Sequence, residues 1–361
     1  MQPRTIVPFG PQHPVLPEPI QLKITYEDEK VVDVVPAMGY VHRGIEKACE
    51  LNEFNKNIYL CERICGICSC IHGIAYCEVV ERLWGLEVPE RAQWLRTIWS
   101  EMERVHSHLL WLGLFADAFG FESLFMQYWR VREKILDMLE LTAGHRVTHS
   151  VSIIGGVRRD IDTDQKKRLL ETLAEIRREA QALNKVMMND YTVKHRTVGK
   201  GPLTYDQALH LGCAGPVLRA SGVKDDARMQ PDLHRYGELG FEPVVETGCD
   251  SYARALVRAR ETIQSIDLQL AALEKLPEGE LAAKPKGNPP AEEAVFRTEQ
   301  PRGEMFYYAK GSGTKNVARV RVRTPTYANI PSLLVMLPGS ELPDVPVIIH
   351  SIDPCISCTE R

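Results

Sequence analysis

Apolar positions recur along the chain with two different periods. Residues 20–36 alternate apolar and polar side chains on both sides of an acidic turn, which predicts a β-hairpin. Residues 90–142, 163–189 and 250–276 instead carry apolar side chains at helical spacing. The first of these segments is long enough for two helices, and we expect a break near Gly120. The pattern therefore predicts a bundle of long helices beside small sheets.

The last quarter of the chain has a different pattern. Residues 277–296 are rich in Pro, Gly, Ala and Glu, which indicates an exposed loop, and residues 304–323 are typical of a second hairpin around GSGTKN. Residues 343–350 end in an apolar run that predicts a short strand. We therefore expect a single, mainly helical α+β domain over residues 1–361. Its expected regions are an N-terminal hairpin region (1–60), a helical core (61–276), an exposed loop (277–300) and a hairpin with a C-terminal metal motif (301–361).

The helix expected at residues 163–189 has a start signal of its own. Thr163-Asp164 precedes the periodic residues, and a Thr or Asp side chain commonly caps the first turn of a helix.

Composition limits the function classes. The 361 residues are 44% hydrophobic and 25% charged, as in ordinary soluble proteins, and the net charge of -4 argues against a general nucleic-acid binder. No run reaches the roughly 18 apolar residues that a membrane span needs, so we do not expect the chain itself to cross a membrane. The opening residues lack the pattern of a secretory signal. The ten cysteines therefore indicate metal binding or redox chemistry rather than disulfides.

Four cysteines form two CxxC pairs at opposite ends of the chain, Cys65/Cys68 and Cys355/Cys358. Each spacing lets two sulfurs converge on one metal, and four thiolates suit zinc, an iron–sulfur cluster, or nickel with iron. On spacing alone a structural zinc site is favoured over an iron–sulfur cluster or a redox dithiol. The long separation weakens zinc, because zinc modules usually close over about 15–20 residues. A chain of this size also needs no metal to fold.

The surrounding residues carry a family resemblance. RICGICSCIHG near the start and DPCISCTER at the end resemble the two signature motifs of [NiFe]-hydrogenase large subunits. FGPQHP, GYVHRGIEK, IGGVRRD, QPRGE and RTPTYAN extend the resemblance over essentially the whole chain. It is closest to the membrane-bound energy-converting hydrogenases of the Ech-type and CO-induced group, which are related to the 49 kDa-type quinone-site subunit of complex I. That relative lacks the four cysteines, so their presence favours the hydrogenase branch.

The resemblance implies the ligands of a nickel–iron centre. Cys65 and Cys355 would bind nickel terminally, and Cys68 and Cys358 would bridge nickel and iron. The iron would carry CO and cyanide, which no side chain supplies.

The resemblance also implies roles for residues outside the pairs. Glu46, in HRGIE, would pass protons to and from the nickel thiolates, of which Cys355 is the expected base. Arg302, in QPRGE, would place a fixed positive charge over the open face of the metals. Pro325 and Thr326 would line the diatomic ligands. Without the resemblance, a surface ion pair would be the favoured role of Glu46, and Arg302, Pro325 and Thr326 could belong to an ordinary turn or strand.

The chain departs from the family pattern at one position and leaves several residues open. Many hydrogenase large subunits end the last motif in His, which helps to bind a magnesium or iron ion, whereas here Arg361 cannot be a ligand. A second metal site, with Glu18 as a remaining ligand, is therefore in doubt. His72 could be a partner of the metal site or a satisfied interior histidine, and His13 could be inherited packing. We expect the remaining cysteines to be buried small residues: Cys49, Cys61, Cys70, Cys77, Cys213 and Cys249.

The resemblance implies the catalytic large subunit of a membrane-associated [NiFe] hydrogenase, which interconverts protons and H2. Expected partners are a small [4Fe-4S] subunit, further iron–sulfur and integral membrane subunits, and ferredoxin as the electron donor. Such a chain would lie on the cytoplasmic inner face of the membrane. Two alternatives come from other classes: a metal-free subunit of a complex I-like quinone site or coupling element, and a structural zinc protein.

Overall fold

The β-strands form three small antiparallel sheets. The computed structural model describes residues 4–231 and 233–361. Within these residues β1 to β3 form one sheet, β4 pairs with β5, and β6 to β8 form the third sheet in sequence order. The strands are β1 (Thr5–Phe9), β2 (Gln21–Glu27), β3 (Lys30–Ala37), β4 (Ser152–Ile153), β5 (Gly156–Val157), β6 (Glu293–Gln300), β7 (Gly303–Gly311) and β8 (Val317–Arg323).

Helices make up most of the regular structure. They are α1 (Ile45–Leu51), α2 (Asn57–Glu62), α3 (Ser69–Trp84), α4 (Glu90–Asp117), α5 (Glu122–Ala143), α6 (Thr163–Asn189), α7 (Tyr191–Thr197), α8 (Tyr205–His210), α9 (Gly215–Arg219), α10 (Ser251–Lys275), α11 (Pro325–Asn329), α12 (Leu333–Met336), α13 (Val345–Ser351) and α14 (Ile356–Glu360). Helix α4 packs against α5 and α10, and both of these contact α6. The expected mainly helical α+β fold, with a central bundle and small peripheral sheets, is confirmed.

The long helices follow the predicted pattern closely. The break between α4 and α5 includes Gly120, whose φ of +84° is a left-handed conformation that glycine adopts without steric cost. Helix α6 begins at Thr163, but the capping side chain is Asp162, one residue before the expected signal. Its carboxylate accepts the Gln165 N–H at 2.8 Å, and the Gln165 side chain accepts the Asp162 N–H in return.

Both predicted hairpins are confirmed, but each belongs to a larger sheet. Strands β2 and β3 turn at Asp28 and Glu29, and β1 adds a third strand that the sequence pattern did not indicate. Strands β7 and β8 form the second hairpin. The expected exposed loop ends early, because residues 293–300 form β6 and pair with β7 along their whole length. The expectation of a loop to residue 300 was wrong there.

The strand expected at residues 343–350 is also wrong. Residues Val345–Ser351 form α13, with a proline in the first turn. A short buried apolar run has no period that separates a strand from a helix. Proline is tolerated in the first helical turn, where the missing N–H has no helical partner. Helix α13 then leads directly into the segment that carries Cys355.

The segments that carry the two cysteine pairs pack around the third sheet. Helix α3 lies against β6 and β7, and α14 contacts α11. The turn between β6 and β7 approaches α9 so closely that a Cβ on Gly215 would lie 2.2 Å from the Cα of Gly303. Glycine at both positions permits this contact, which holds Arg302 in its turn against the body of the protein.

Within the described residues, we find no helix with both the length and the apolar character that a bilayer span requires.

Candidate metal centre

The four predicted metal cysteines converge in the interior. The Sγ atoms of Cys65 and Cys355 lie 3.4 Å apart, and those of Cys68 and Cys358 also lie 3.4 Å apart. All four side chains are buried, with at most 2% of any residue exposed. The structure therefore pairs each cysteine of one motif with a cysteine of the other.

Local backbone geometry directs the sulfurs inward. Cys68 immediately precedes α3, and Cys355 immediately precedes α14. The Ile67 N–H donates to the Sγ of Cys65 at 3.3 Å, and the Cys358 N–H donates to the Sγ of Cys355 at 3.4 Å. Each CxxC turn thus orients its first sulfur by a backbone N–H two or three residues further on.

The donor set fits a soft transition metal. Two thiolates on one metal at about 2.3 Å each can lie at most about 4.6 Å apart, and both close sulfur pairs satisfy this limit. Cys65, Cys355 and Cys358 have ligand atoms that all lie within 4.8 Å of one another. Four buried thiols with no carboxylate among them match the preference of nickel, iron or zinc rather than of magnesium or calcium.

The thiols favour metal binding electrostatically. Burial raises the pKa of Cys68 and Cys358 well above the usual thiol value. Hydrogen bonds from the neighbouring thiols, Cys355 first, lower the pKa of Cys65 well below it. Cys65 is therefore readily deprotonated, whereas deprotonation of the other buried thiols costs free energy. A bound cation would offset that cost.

Arg302 lies beside the thiols, and Asp353 holds it there. Its Nε donates to the Asp353 carbonyl at 3.1 Å and to Oδ1 at 3.0 Å. Burial alone would lower the pKa of Arg302, but Asp353 and the thiols of Cys355 and Cys65 raise it well above its usual value. The buried Nη1 has no hydrogen-bond partner among the described residues, so it can serve a further acceptor.

A cavity of about 350 Å³ reaches Cys355 and Arg302 from outside the thiol cluster. Its walls are mainly apolar and include two tryptophans, whereas its polar part is formed by Arg302, Asp353, His350, Glu18 and Cys355. The other lining residues are Pro17, Ile67, Leu110, Trp111, Leu114, Trp129 and Pro354. The space suits a small apolar molecule and is poor in partners for water.

The thiol of Cys355 lies within hydrogen-bonding distance of a carboxylate, that of Glu18. Its Oε1 lies 4.0 Å from the Sγ of Cys355. The Ser357 N–H donates to Oε2 at 2.9 Å, and the Ser357 hydroxyl donates to Oε1. These bonds keep the half-buried carboxylate beside the first cysteine of the second pair. The structure places Glu18 against Cys355 rather than at a second metal site; an acidic residue in the otherwise apolar VLPEPI segment is the sequence signal that marks it.

The structure does not bring Glu46 to the thiols, where the resemblance led us to expect it. Its Oε1 accepts the Val322 N–H at 2.9 Å and the Arg361 Nε at 3.0 Å, and its Oε2 accepts the Arg321 guanidinium at 3.0 Å. Burial acts to raise the pKa of Glu46, but these three donors outweigh it and the pKa is lowered. Glu46 is thus an ion-paired carboxylate that joins α1 to β8 and the end of the chain.

These residues do not fit a second metal ion. Both oxygens of Glu46 already accept N–H donors. A guanidinium without a lone pair occupies the position at which a ligating His would stand. Glu18, the other ligand that we considered, directs its oxygens at Ser357 and Cys355 instead. Arg321 and Arg361, rather than a metal ion, supply the positive charge beside Glu46.

His72 proves to be a partner of the thiol cluster. Its Nε2 lies 3.4 Å from the Sγ of Cys358, and its Nδ1 lies 2.7 Å from the Tyr307 hydroxyl. Burial lowers the pKa of His72 to about 4, so the ring is neutral near pH 7. Sequence reasoning did not find Tyr307, because MFYYAK reads only as a strand.

Pro325 and Thr326 open α11 directly beneath the second cysteine pair. The Thr326 hydroxyl accepts the Cys355 N–H at 3.1 Å, and the Thr324 hydroxyl donates to the Cys358 carbonyl at 3.0 Å. Both predicted residues are buried. The hydroxyls of Thr324 and Thr326 hold the motif's backbone in place.

The remaining cysteines are buried as expected except for Cys249, which is half-buried. None of the six belongs to a group of described side chains that could together bind a metal. Cys70, the nearest in sequence to the cluster, is buried behind it, where its N–H donates to Glu103 at 2.6 Å. The four sulfurs of the two CxxC pairs are therefore distinct from the other thiols. His13 stacks on Phe9 at 4.0 Å, in agreement with a packing role.

Two family models match the chain in separate parts. A nickel-dependent hydrogenase model matches residues 43–115. A model of the respiratory-chain NADH dehydrogenase 49 kDa subunit matches residues 118–288 and 283–361. Between them they cover both cysteine pairs.

Individual proteins match over nearly the whole length. The membrane-bound hydrogenase subunit alpha of Pyrococcus furiosus is 38% identical over 98% of this chain and 87% of its own. The carbon monoxide-induced hydrogenase of Rhodospirillum rubrum is 39% identical over 98% of this chain and 99% of its own. A chain of the membrane-bound sulfane sulfur reductase, an archaeal respiratory membrane complex, superposes with a TM-score of 0.95 at 31% identity, over 99% of this chain and 98% of that one.

Proposed function

This chain belongs to the family that includes nickel-dependent hydrogenases and the 49 kDa subunit of respiratory NADH dehydrogenase, and we propose that it is the catalytic large subunit of a membrane-associated [NiFe] hydrogenase. Its relatives are subunits of membrane-bound respiratory complexes and oxidoreductases. The finer assignment, reversible conversion of protons and electrons to H2, depends on one observation: four buried thiols, drawn from both ends of the chain, meet in two pairs.

The proposed ligand set is Cys65, Cys68, Cys355 and Cys358. Nickel and iron, the latter with CO and cyanide ligands, would supply heterolytic cleavage of H2 when bound there. Pro325 and Thr326 would line the diatomic ligands. The apolar cavity beside Cys355 would admit H2 and exclude water. Because water would screen the charge of Arg302, its exclusion would strengthen the effect of that charge.

Proton movement would use Cys355 and Glu18. The Sγ of Cys355 would accept the proton, and Glu18 Oε1, at 4.0 Å, would take it from the sulfur and pass it outward. Arg302 would keep its charge throughout, because Asp353 fixes it and its pKa is raised. We assign no step to Glu46, whose carboxylate is engaged with two arginines.

The chain would work within a larger assembly. Electrons would leave through a small [4Fe-4S] subunit, with further iron–sulfur and integral membrane subunits coupling H2 evolution to ion translocation. Reduced ferredoxin would be the donor, and the assembly would lie on the cytoplasmic inner face of the membrane. The similarity to membrane-bound hydrogenase subunit alpha supports this arrangement.

An infrared spectrum of the purified complex tests the metal assignment. We expect stretches of iron-bound CO and cyanide, together with nickel in metal analysis. A zinc site would show neither. A complex that lacks both the bands and nickel would contradict the proposal and favour the metal-free, complex I-like alternative.

Replacing Glu46 with glutamine tests whether Glu46 takes part in the proton transfer that we assign to Glu18. We expect H2 turnover to stay near the wild-type level, while the free energy of unfolding falls by about 1–3 kcal/mol because charged hydrogen bonds are lost. The lowered pKa of Glu46 means that its contribution is fully present above the ordinary glutamate pKa of about 4.3 and is lost as the pH falls through the folded-state pKa. Denaturant unfolding at neutral and acid pH would measure this. A sharp loss of turnover with metals retained would return Glu46 to the proton path.

A further inference from the structure

A chain of hydrogen-bonding side chains leads from the thiol cluster into the protein. His72 contacts Cys358 through Nε2 at 3.4 Å and Tyr307 through Nδ1 at 2.7 Å. The thiols of Cys61 and Cys49 are buried in the same cluster as Tyr307 and act electrostatically on its hydroxyl. His72, Tyr307, Cys61 and Cys49 are each 0% exposed, so bulk water cannot replace a missing partner.

Metal binding would determine which group donates in each hydrogen bond of this series of side chains. A neutral imidazole has one N–H donor and one acceptor nitrogen. A metal-bound Cys358 thiolate carries no proton, so the hydrogen between it and His72 must be on Nε2. Nδ1 must then accept, and the Tyr307 hydroxyl must donate to it. The oxygen of Tyr307 would then be free to accept a hydrogen bond from the Cys61 thiol, and each donor would be directed toward Cys358.

We propose that Tyr307 is a positioning residue for the metal centre: its hydroxyl fixes the His72 tautomer that donates to the bridging sulfur of Cys358. The proposal rests on the proposed function, because only a metal-bound thiolate sets the direction of the chain. Hydrogen bonds to a ligating sulfur withdraw electron density from it and raise the reduction potential of the metal. Because Tyr307 lies on β7 and His72 on α3, the packing of the third sheet against α3 would tune the centre.

The Tyr307→Phe substitution would remove the hydroxyl and leave the ring, so it tests the hydroxyl alone. It fills nearly the same volume and can keep the edge-on ring contact with His72, whose ring centroid is 5.9 Å away. It removes the only described donor to Nδ1 of His72. Tyr308 provides a matched control, because it is the next residue on β7 and is only half-buried. Successive side chains of a strand point to opposite faces, so Tyr308 lies away from α3.

The experiment compares infrared spectra and metal midpoint potentials of the purified wild-type, Tyr307→Phe and Tyr308→Phe complexes in one redox state. For Tyr307→Phe we expect the CO stretch at lower wavenumber and a more negative midpoint potential, because the sulfur and iron become richer in electrons. Tyr308→Phe should match the wild type. A Tyr307→Phe spectrum identical to the wild type would overturn the inference alone. A wild-type complex without these bands would overturn the proposed function and this inference with it.

A second variant covers the case in which Tyr307→Phe binds no metal. Cys61→Ala keeps both rings and removes only the thiol that this direction of hydrogen bonding would assign as the donor to Tyr307. We expect a shift of the CO stretch in the same direction but smaller, because this donor acts through two intervening bonds. An unchanged CO stretch in Cys61→Ala would then contradict the proposed series of hydrogen bonds toward Cys358.

Discussion

Cys358→Ala is expected to yield a folded chain that contains neither nickel nor iron and produces no H2 above background. The Sγ of Cys358 lies 3.4 Å from that of Cys68 and 3.4 Å from Nε2 of His72. Its removal leaves three thiols, and the proposed iron would lose one of its two protein ligands. Metal analysis of the purified complex, together with turnover and circular dichroism, measures the outcome.

The control for this variant is Cys70→Ala. Cys70 is two residues from Cys68 and just as buried, but its thiol belongs to no group of described side chains that could bind a metal together. We expect it to keep both metals. A Cys358→Ala chain that retained nickel and iron at the wild-type ratio would exclude the bridging role. Equal metal loss in both variants would indicate damage to packing instead.

The second large effect is expected from Glu18→Gln, which should keep both metals but lower H2 turnover by about 10²–10⁴-fold, the usual contribution of a positioned proton-transfer group. Glutamine preserves the shape and can still accept the Ser357 N–H, so the second cysteine pair should stay in place. It cannot carry a proton away from Cys355. The infrared bands should therefore remain while the rate falls.

Two comparisons make the result specific. Glu46→Gln is the same chemical change at a carboxylate that contacts arginines, and we expect its turnover to stay high. Glu18→Asp keeps the acid but draws it back from Cys355, and should give an intermediate rate. If Glu18→Gln turned over like the wild type, protons would have to leave Cys355 by another route. If it lost its metals, Glu18 would be a structural support of the motif.

The amino-acid sequence was informative wherever the determining interaction is local. Helices α4, α5, α6 and α10 were predictable because their hydrogen bonds and apolar stripes recur within a few residues. The two CxxC pairs were predictable because each is a single turn, and the structure brings their sulfurs together across the chain. The same local signals failed for α13, whose buried apolar run has no distinguishing period, and for β6, whose partner strand supplies its hydrogen bonds.

Tertiary structure alone decided which acid meets the thiols. Glu18 and Glu46 both lie in motif-like segments near the start of the chain. Glu18 reaches Cys355 across 337 positions, and Glu46 reaches Arg361 across 315. The contact of Tyr307 with His72 likewise spans 235 positions. The sequence specified the thiols, because ligand chemistry lies in the side chain. Packing between distant elements decided their neighbours, because such contacts leave no periodic or spacing signal in the residues themselves.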